Sequence, residues 1–380
     1  MKQKIRKREW NMWNFYQPVN VIWGEGETKN LASHLAKYGF EKAFLIADAF
    51  LVSSGAAARL QEAAAGRIIA VSSDVEPNPT LENVDVNARL AKKAGADCII
   101  VFGGGSVMDC GKAAAAAIAM DITAEQLLGN GPVKQALPVI AVPTTAGTGS
   151  EVTAGAVLSD KKRGVKTAVF GPALFATAAI VDPELTYSVP AKVTAATGLD
   201  VLAHAIDAMS SVKANPATDA EAEKACELAV RYLERAVRDG MDKEARAGMS
   251  QASTIAGLAF SQTGTAGSHA CSYILTSKYH VPHGEACAFT LDCWLRINAK
   301  ARPELDVISR RLGFDNAEAF ADWLNEIKKK SGMRTTLAEI GASEKDIPEL
   351  VKAAMASSNM ANNIARIGEE GVATIFRSRL

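Results

Sequence analysis

Asp97-Cys-Ile-Ile-Val-Phe-Gly-Gly-Gly-Ser-Val-Met-Asp-Cys-Gly-Lys112 is the stretch that decides the fold. Its first residues form a short apolar run without polar alternation, as a strand buried on both faces requires. Three glycines follow, and then an alanine-rich segment of helical period. The same order repeats on either side. Val19–Trp23, Lys42–Asp48, Arg67–Ser72 and Pro138–Val142 read as further strands, with helices over Lys29–Tyr38 and Thr80–Ala94. Strand and helix in alternation imply a parallel sheet covered on both faces, a Rossmann-like α/β architecture. Val152–Leu158 and Gly164–Phe170, separated by Ser159-Asp-Lys-Lys-Arg163, read as an appended β-hairpin, and Ala179–Asp182 as a last strand.

After Asp182-Pro-Glu-Leu-Thr186 the period becomes helical, with long segments over Pro216–Arg238, Lys243–Phe260 and Asn316–Ser331. We therefore expect two domains in the 380 residues. Residues 1–186 form a cofactor-binding α/β domain, and residues 187–380 an all-α metal- and substrate-binding domain, with the site in the cleft between them.

Composition narrows the function classes. Lys+Arg and Asp+Glu are both 42, so the net charge is zero and no basic footprint for nucleic acid exists. No apolar run reaches the roughly 18 residues that cross a bilayer. The basic start Met1–Glu9 leads into Trp10-Asn-Met-Trp-Asn-Phe15 without an apolar core, so it does not read as a signal peptide. Cysteines 98, 110, 226, 271, 287 and 293 contain no CxxC pair and read as free thiols in a reducing cytoplasm. The expected protein is cytoplasmic, acts on a small molecule without nucleic-acid or membrane partners, and assembles as a homo-oligomer, a dimer.

The glycine stretch admits two readings, a structural strand-to-helix turn or a phosphate cradle at a helix N-terminus. It matches neither common fingerprint. Met108 stands where G-x-G-x-x-G needs its last glycine, and Ala113 stands where a P-loop needs Ser or Thr. A second loop, Pro143-Thr-Thr-Ala-Gly-Thr-Gly-Ser-Glu151, also follows a strand and offers Thr144, Thr145 and Thr148. Two such loops at the strand ends of one sheet suit a pyrophosphate. Asp48 ends the second strand, where a carboxylate accepts ribose hydroxyls and repels a 2′-phosphate; a helix cap is the alternative.

In the helical half, Thr197-Gly-Leu-Asp-Val-Leu-Ala-His-Ala-Ile-Asp207 puts Asp200 and His204 one turn apart on a helix face. Gly267-Ser-His-Ala-Cys-Ser-Tyr273 and Val281-Pro-His-Gly284 add His269 from a helix and His283 from a loop. Three of only five histidines fall here, amid small residues that leave room for a ligand. The pair alone reads first as a hydrogen bond, whereas the four donors together read equally as a metal site.

Taken together, these motifs resemble the iron-containing (group III) alcohol dehydrogenases along nearly the whole chain. The matching pieces are Gly103-Gly-Gly-Ser-Val-Met-Asp109-x-x-Lys112, Pro143–Thr153, Asp182–Thr186, Gly198-Leu-Asp-x-x-x-His204-Ala, His269, and Pro282-His-Gly284. The resemblance implies a divalent metal, Fe²⁺ before Zn²⁺, on Asp200, His204, His269 and His283. It implies NAD contacts at Asp48, Asn78, Gly104, Gly105, Ser106, Thr144, Thr145, Thr148 and Lys166, with Asp109 counted in the same loop. Many members carry a histidine four residues after the one matching His269; here Tyr273 stands there. That segment is more similar to the branch reducing phosphonoacetaldehyde or sulfoacetaldehyde, although Gly264 lies where that branch places a basic residue.

The implied activity is a metal-dependent, NAD(H)-linked alcohol dehydrogenase or aldehyde reductase that prefers NADH because of Asp48. Its substrate is a short aldehyde, either with an anionic head or neutral, of the propanal or lactaldehyde type. Tyr273 is the candidate proton carrier, with packing beside the metal helix as the alternative, and Phe260 the apolar wall. Ser261, Gln262, Thr263 and Thr265 are candidate substrate contacts, and Arg366 reads first as a surface residue, with a counter-charge folding back from the C-terminal region as the alternative. Rival readings are a dehydroquinate synthase-like lyase, and binding without catalysis.

Overall fold

The structure, a computed structural model, describes residues 12–380. The basic start Met1–Glu9, with Trp10 and Asn11, lies outside the described residues. The strands are β1 (Asn20–Trp23), β2 (Ala43–Ala47), β3 (Ile68–Ser72), β4 (Cys98–Gly103), β5 (Val139–Pro143), β6 (Gly155–Asp160), β7 (Val165–Phe170) and β8 (Ala178–Val181). Six of them form one sheet in the order β1-β8-β5-β4-β2-β3, with every pairing parallel. The four inner strands are buried throughout, which is why their sequences run apolar without alternation.

Six helices accompany these strands: α1 (Leu31–Lys37), α2 (Ala49–Ser53), α3 (Ala56–Ala63), α4 (Leu81–Ala94), α5 (Gly105–Met120) and α6 (Ala124–Gly129). The central packing contact is α5 on β4. A Cβ at Gly111 would meet Val101 Cγ1 at 2.0 Å, so glycine there and the buried alanines 113–117 let the helix settle directly on the strand. Helix α4 starts at Thr80, whose side chain and that of Asn83 cap each other's backbone N–H groups.

Strand order reverses at β2. The chain goes from β2 outward to β3, then returns to place β4 on the other side. The carboxyl ends of β2 and β4 therefore flank the crevice where open α/β sheets bind ligands. Asp48 follows β2 and Gly104 follows β4.

The expected hairpin is present as β6–β7, antiparallel over six residue pairs. Its first strand begins at Gly155 rather than Val152. Ser150–Val152 instead forms a tight helical turn after Gly149 (φ +59°), held by the buried Lys112 ammonium, which donates to the carbonyls of Ser150 and Thr153.

From Ala191 onward the described elements are helices: α7 (Ala191–Met209), α8 (Pro216–Arg238), α9 (Lys243–Thr263), α10 (Gly267–Tyr279), α11 (His283–Phe289), α12 (Leu291–Ala301), α13 (Glu304–Arg311), α14 (Ala317–Lys330), α15 (Ile347–Ala356), α16 (Ser358–Asn362) and α17 (Glu369–Arg377), with short tight turns between some of them. Helix α7 is buried almost end to end and forms the axis of this half, with α8, α9 and α11 packed around it. Small residues set these distances. A Cβ at Gly198 would meet Leu233 Cδ1 at 2.3 Å, and one at Gly248 would meet the Tyr232 ring at 2.1 Å. No helix among the described residues is long and apolar enough to cross a membrane.

Candidate active site

The sheet side of the site is built around two glycine loops held against each other. Thr144 N–H donates to Gly103 O, joining the second loop to the end of β4. A Cβ at Gly105 would meet Thr148 Cγ2 at 2.8 Å, and one at Gly104 would come within 3.3 Å of Thr145 Oγ1. Glycine is thus needed for the loops to nest. Gly104 caps α5 without a side-chain acceptor, which leaves first-turn N–H groups available for an anion.

Asn78 closes the cradle from above, in a left-handed conformation (φ +59°) that asparagine tolerates. Its N–H donates to Ser106 Oγ, and its side-chain carbonyl accepts from Lys166 Nζ at 2.8 Å. The cofactor residues expected from sequence therefore converge, with two qualifications. Asp109 accepts from Ser150 Oγ and Val157 N–H, so both oxygens pin the second loop and the hairpin rather than being free for a cofactor. Asp48 caps α2 through Leu51 N–H at 2.8 Å, as the helix-cap alternative anticipated, while remaining at the end of β2.

The helical side supplies side chains. Asp200 and His204 leave α7 one turn apart, with His204 Nε2 4.0 Å from Asp200 Oδ1. His269, on α10, brings its Nε2 to 3.9 Å from the same oxygen. His283 presents its ring edge-on to that of His269, with centroids 5.6 Å apart. One expectation needs correction: His283 is the first residue of α11, not part of a loop. Pro282 can precede a helix without losing a needed N–H donor, so a Pro-His-Gly sequence does not exclude a helix start. Glycine at 284 is required because a Cβ there would sit 2.1 Å from Ala196 O and 2.9 Å from Asp200 Cβ.

Sequence reading missed two residues here. Asp207 accepts from His269 Nδ1 at 2.9 Å and from Ala266 N–H at 2.7 Å. The available signal was its spacing, two helical turns after Asp200. Cys287 is the other, one turn after His283 on α11 and wholly buried.

Each histidine environment leaves a nitrogen suited to a cation. His204 Nδ1 donates to Gly147 O at 3.2 Å, and His269 Nδ1 pairs with Asp207, so both rings are oriented with Nε2 toward the cluster. Asp200 Oδ1 and His269 Nε2 are buried without a hydrogen-bond partner. Burial raises Asp200 to about 6. Burial, reinforced by charge on His269, lowers His204 well below the usual histidine value. It lowers His283 to about 3, with His269 and then Lys166 adding to the effect. Burial also opposes charge on His269, but Cys287 and Asp207 together hold it well above the ordinary value. Burial keeps His204 and His283 neutral, a cation would displace the proton that Cys287 and Asp207 favour on His269, and the unpartnered atoms of Asp200 and His269 face one another, so the set fits a divalent cation.

Phe260, expected as an apolar wall, stacks on His204 with centroids 4.1 Å apart. Tyr273 is 37% exposed, and its hydroxyl accepts from Asn359 Nδ2 at 2.9 Å. The proposed substrate contacts fare less well. Gln262 is committed to Tyr16, accepting from its N–H and donating to its carbonyl. Thr263 donates within its own helix end, to the carbonyls of Ala259 and Gly264. Ser261 Oγ is buried without a partner. Arg366 is exposed and donates to Ala361 O.

Comparison with known proteins adds three kinds of likeness. Two family profiles match, one described as iron-containing alcohol dehydrogenase over residues 18–183, the other as the C-terminal part of the Fe-containing alcohol dehydrogenase family over residues 194–380. Among solved structures, sulfoacetaldehyde reductase from Bifidobacterium kashiwanohense, in complex with NAD⁺, superposes with a TM-score of 0.94 at 39% identity, covering 97% of this chain and 99% of that one. Sulfoacetaldehyde reductase of Bilophila wadsworthia is 32% identical over 92% of this chain and 94% of its own length. The 1-propanol dehydrogenase PduQ of Salmonella typhimurium is 34% identical over 91% of this chain and 95% of its own.

Proposed function

The chain belongs to the iron-containing alcohol dehydrogenase family, and on that premise we propose that it interconverts a short aldehyde and its alcohol with NAD(H). In this reading residues 1–186 hold the dinucleotide and residues 187–380 hold the metal and substrate. The observation that carries it is a donor cluster that is buried except for the partly exposed His283. Asp200, His204, His269 and His283 come from three helices, and Asp200 Oδ1 and His269 Nε2 lack any other partner. These four residues would hold a divalent ion, iron by family and zinc by the same donor chemistry. The ion would supply Lewis-acid polarisation of the substrate oxygen, and the nicotinamide would supply the hydride.

The chain's own residues do the positioning. Asp207 and Gly147 O fix the orientation of His269 and His204. Phe260 keeps water off the His204 ring. Burial holds the Tyr273 hydroxyl above its ordinary pKa, so it stays protonated at neutral pH. Since its oxygen accepts from Asn359, its own hydrogen is free to pass to the substrate oxygen as the aldehyde is reduced. The glycine loops, Asn78 and Lys166 receive the dinucleotide, and Asp48 faces its ribose.

For the substrate we favour an anionic head, sulfoacetaldehyde or phosphonoacetaldehyde. The support is the likeness to sulfoacetaldehyde reductases and the Lys166 ammonium, near enough to His283 to depress its basicity. A neutral aldehyde such as propanal or lactaldehyde is the second reading, favoured by the propanol dehydrogenase relative and by the Gln262 and Thr263 hydrogen bonds that remove two candidate head contacts. Steady-state kcat/KM with NADH across these aldehydes tests both. Preference for the neutral aldehydes by about tenfold or more, near 1.4 kcal/mol, overturns the anionic head. Failure to oxidise NADH with any of them, once the metal is loaded, overturns the reductase. The free cysteines accord with a reducing compartment such as the cytoplasm.

A further inference from the structure

We propose that Cys287 is a metal donor in the resting centre, a thiolate beside Asp200, His269 and His283, and that it shifts the centre's preference toward zinc. This rests on the metal reading above and adds a ligand to it. The group whose donor atoms all lie within 4.8 Å of one another is Asp200, His269, His283 and Cys287. Donors on one tetrahedral ion stand roughly 3.3–3.8 Å apart for bonds of about 2.0–2.3 Å, so closing this group on a cation takes shifts of about 1 Å or less. His204 stands at the edge of the group, with its Nε2 4.0 Å from Asp200 Oδ1.

The placement follows from the fold. His283 and Cys287 are one turn apart on α11, so both side chains leave the same face. Gly284 lets that face descend onto α7 beside Asp200. The thiol then lies 3.7 Å from His283 Nε2. A buried cysteine is more often a small apolar filler. Here, however, it borders the two buried atoms that have no partner, Asp200 Oδ1 and His269 Nε2, themselves 3.9 Å apart. A cation shared by those two atoms would also lie within reach of the Cys287 sulfur, which stands no more than 4.8 Å from either of them.

On binding, the thiol proton leaves for solvent as the sulfur–metal bond forms. Sulfur is a softer donor than carboxylate or imidazole, so a site containing it favours zinc more than the same site without it.

The test is the absorption spectrum of the full-length protein, stripped of metal and reloaded with cobalt(II). A near-ultraviolet thiolate-to-cobalt charge-transfer band is expected, and it should vanish in Cys287→Ser and in Cys287→Ala. Zinc affinity, measured by competition with a chromophoric chelator, should fall by about tenfold or more in Cys287→Ser, with a smaller loss for ferrous iron. Visible cobalt bands without charge transfer in the unmodified protein overturn this inference and leave the metal reading standing. So does a charge-transfer band that survives both substitutions. Equal losses of zinc and iron affinity overturn the selectivity. Failure to bind cobalt at all overturns the metal reading with it.

Discussion

The two halves of the proposed site are built by opposite means. On the sheet side, contiguous glycine loops offer backbone N–H groups, and the requirement is small residues that let loops nest. On the helical side, side chains from α7, α10 and α11 converge, and the requirement is that three helices dock in register. The first design tolerates change in most side chains but not an added Cβ. The second tolerates neither loss of a donor nor displacement of a helix. The sides meet at Gly147, whose carbonyl accepts from His204 Nδ1 while its Cα lies where a Cβ would strike Thr197 Cβ at 2.6 Å.

If the two sides are functionally separate, the largest effect comes from removing a donor. His283→Ala should lower turnover by about a thousandfold or more, because Lewis-acid stabilisation is worth several kcal/mol. NADH affinity, read by fluorescence titration, should stay within a few-fold. A parallel loss of NADH binding would show that the two sides are one unit.

Glycine substitutions sharpen the same division. Gly284→Ala should cost about 1–3 kcal/mol in denaturant unfolding and weaken metal binding, since its Cβ would collide with backbone at Ala196 O. Gly105→Ala, whose Cβ meets only the Thr148 side chain, should weaken NADH binding and leave metal content intact. Metal analysis and NADH titration on both variants check the crossover; identical phenotypes would contradict it.

Cofactor choice gives a smaller effect, confined to the sheet side. The unmodified protein should prefer NADH to NADPH by about tenfold. Asp48→Asn should narrow that ratio while keeping the melting temperature, because asparagine caps α2 as well as aspartate does. An unchanged ratio would assign Asp48 to capping alone.

The smallest effect lies in the helical half, away from the metal. Glu221 on α8 has a buried oxygen without a partner, and burial pushes its pKa up to about 7. Its folded-state value is above the unfolded one, so the protonated form stabilises the fold below the ordinary carboxylate range. That contribution is lost as pH rises through about 7. Glu221→Gln should therefore raise stability by about 1 kcal/mol above pH 7 and leave it unchanged near pH 4. Denaturant melts at the two pH values check this, and a pH-independent gain would contradict it.

How much of this was legible beforehand differs between the two sides for a physical reason. Period and apolar content determined the inner strands, the long helices and the change of character after Thr186, because a doubly buried strand and an amphipathic helix each impose their pattern locally. The glycine loops were legible for the same reason: their parts are adjacent in sequence. Spacing also fixed Asp200 with His204, one turn apart on α7. What the chain could not express locally was decided by packing. Gly149 and Lys112 delayed the start of the hairpin by three residues, through a turn that a strand pattern does not register. Gln262 and Asp109 were drawn into scaffold bonds with distant segments. Asp207 and Cys287 became neighbours of the donor cluster only when α10 and α11 docked on α7, because contacts between helices depend on which faces meet, and no single helix sequence specifies its partner's face.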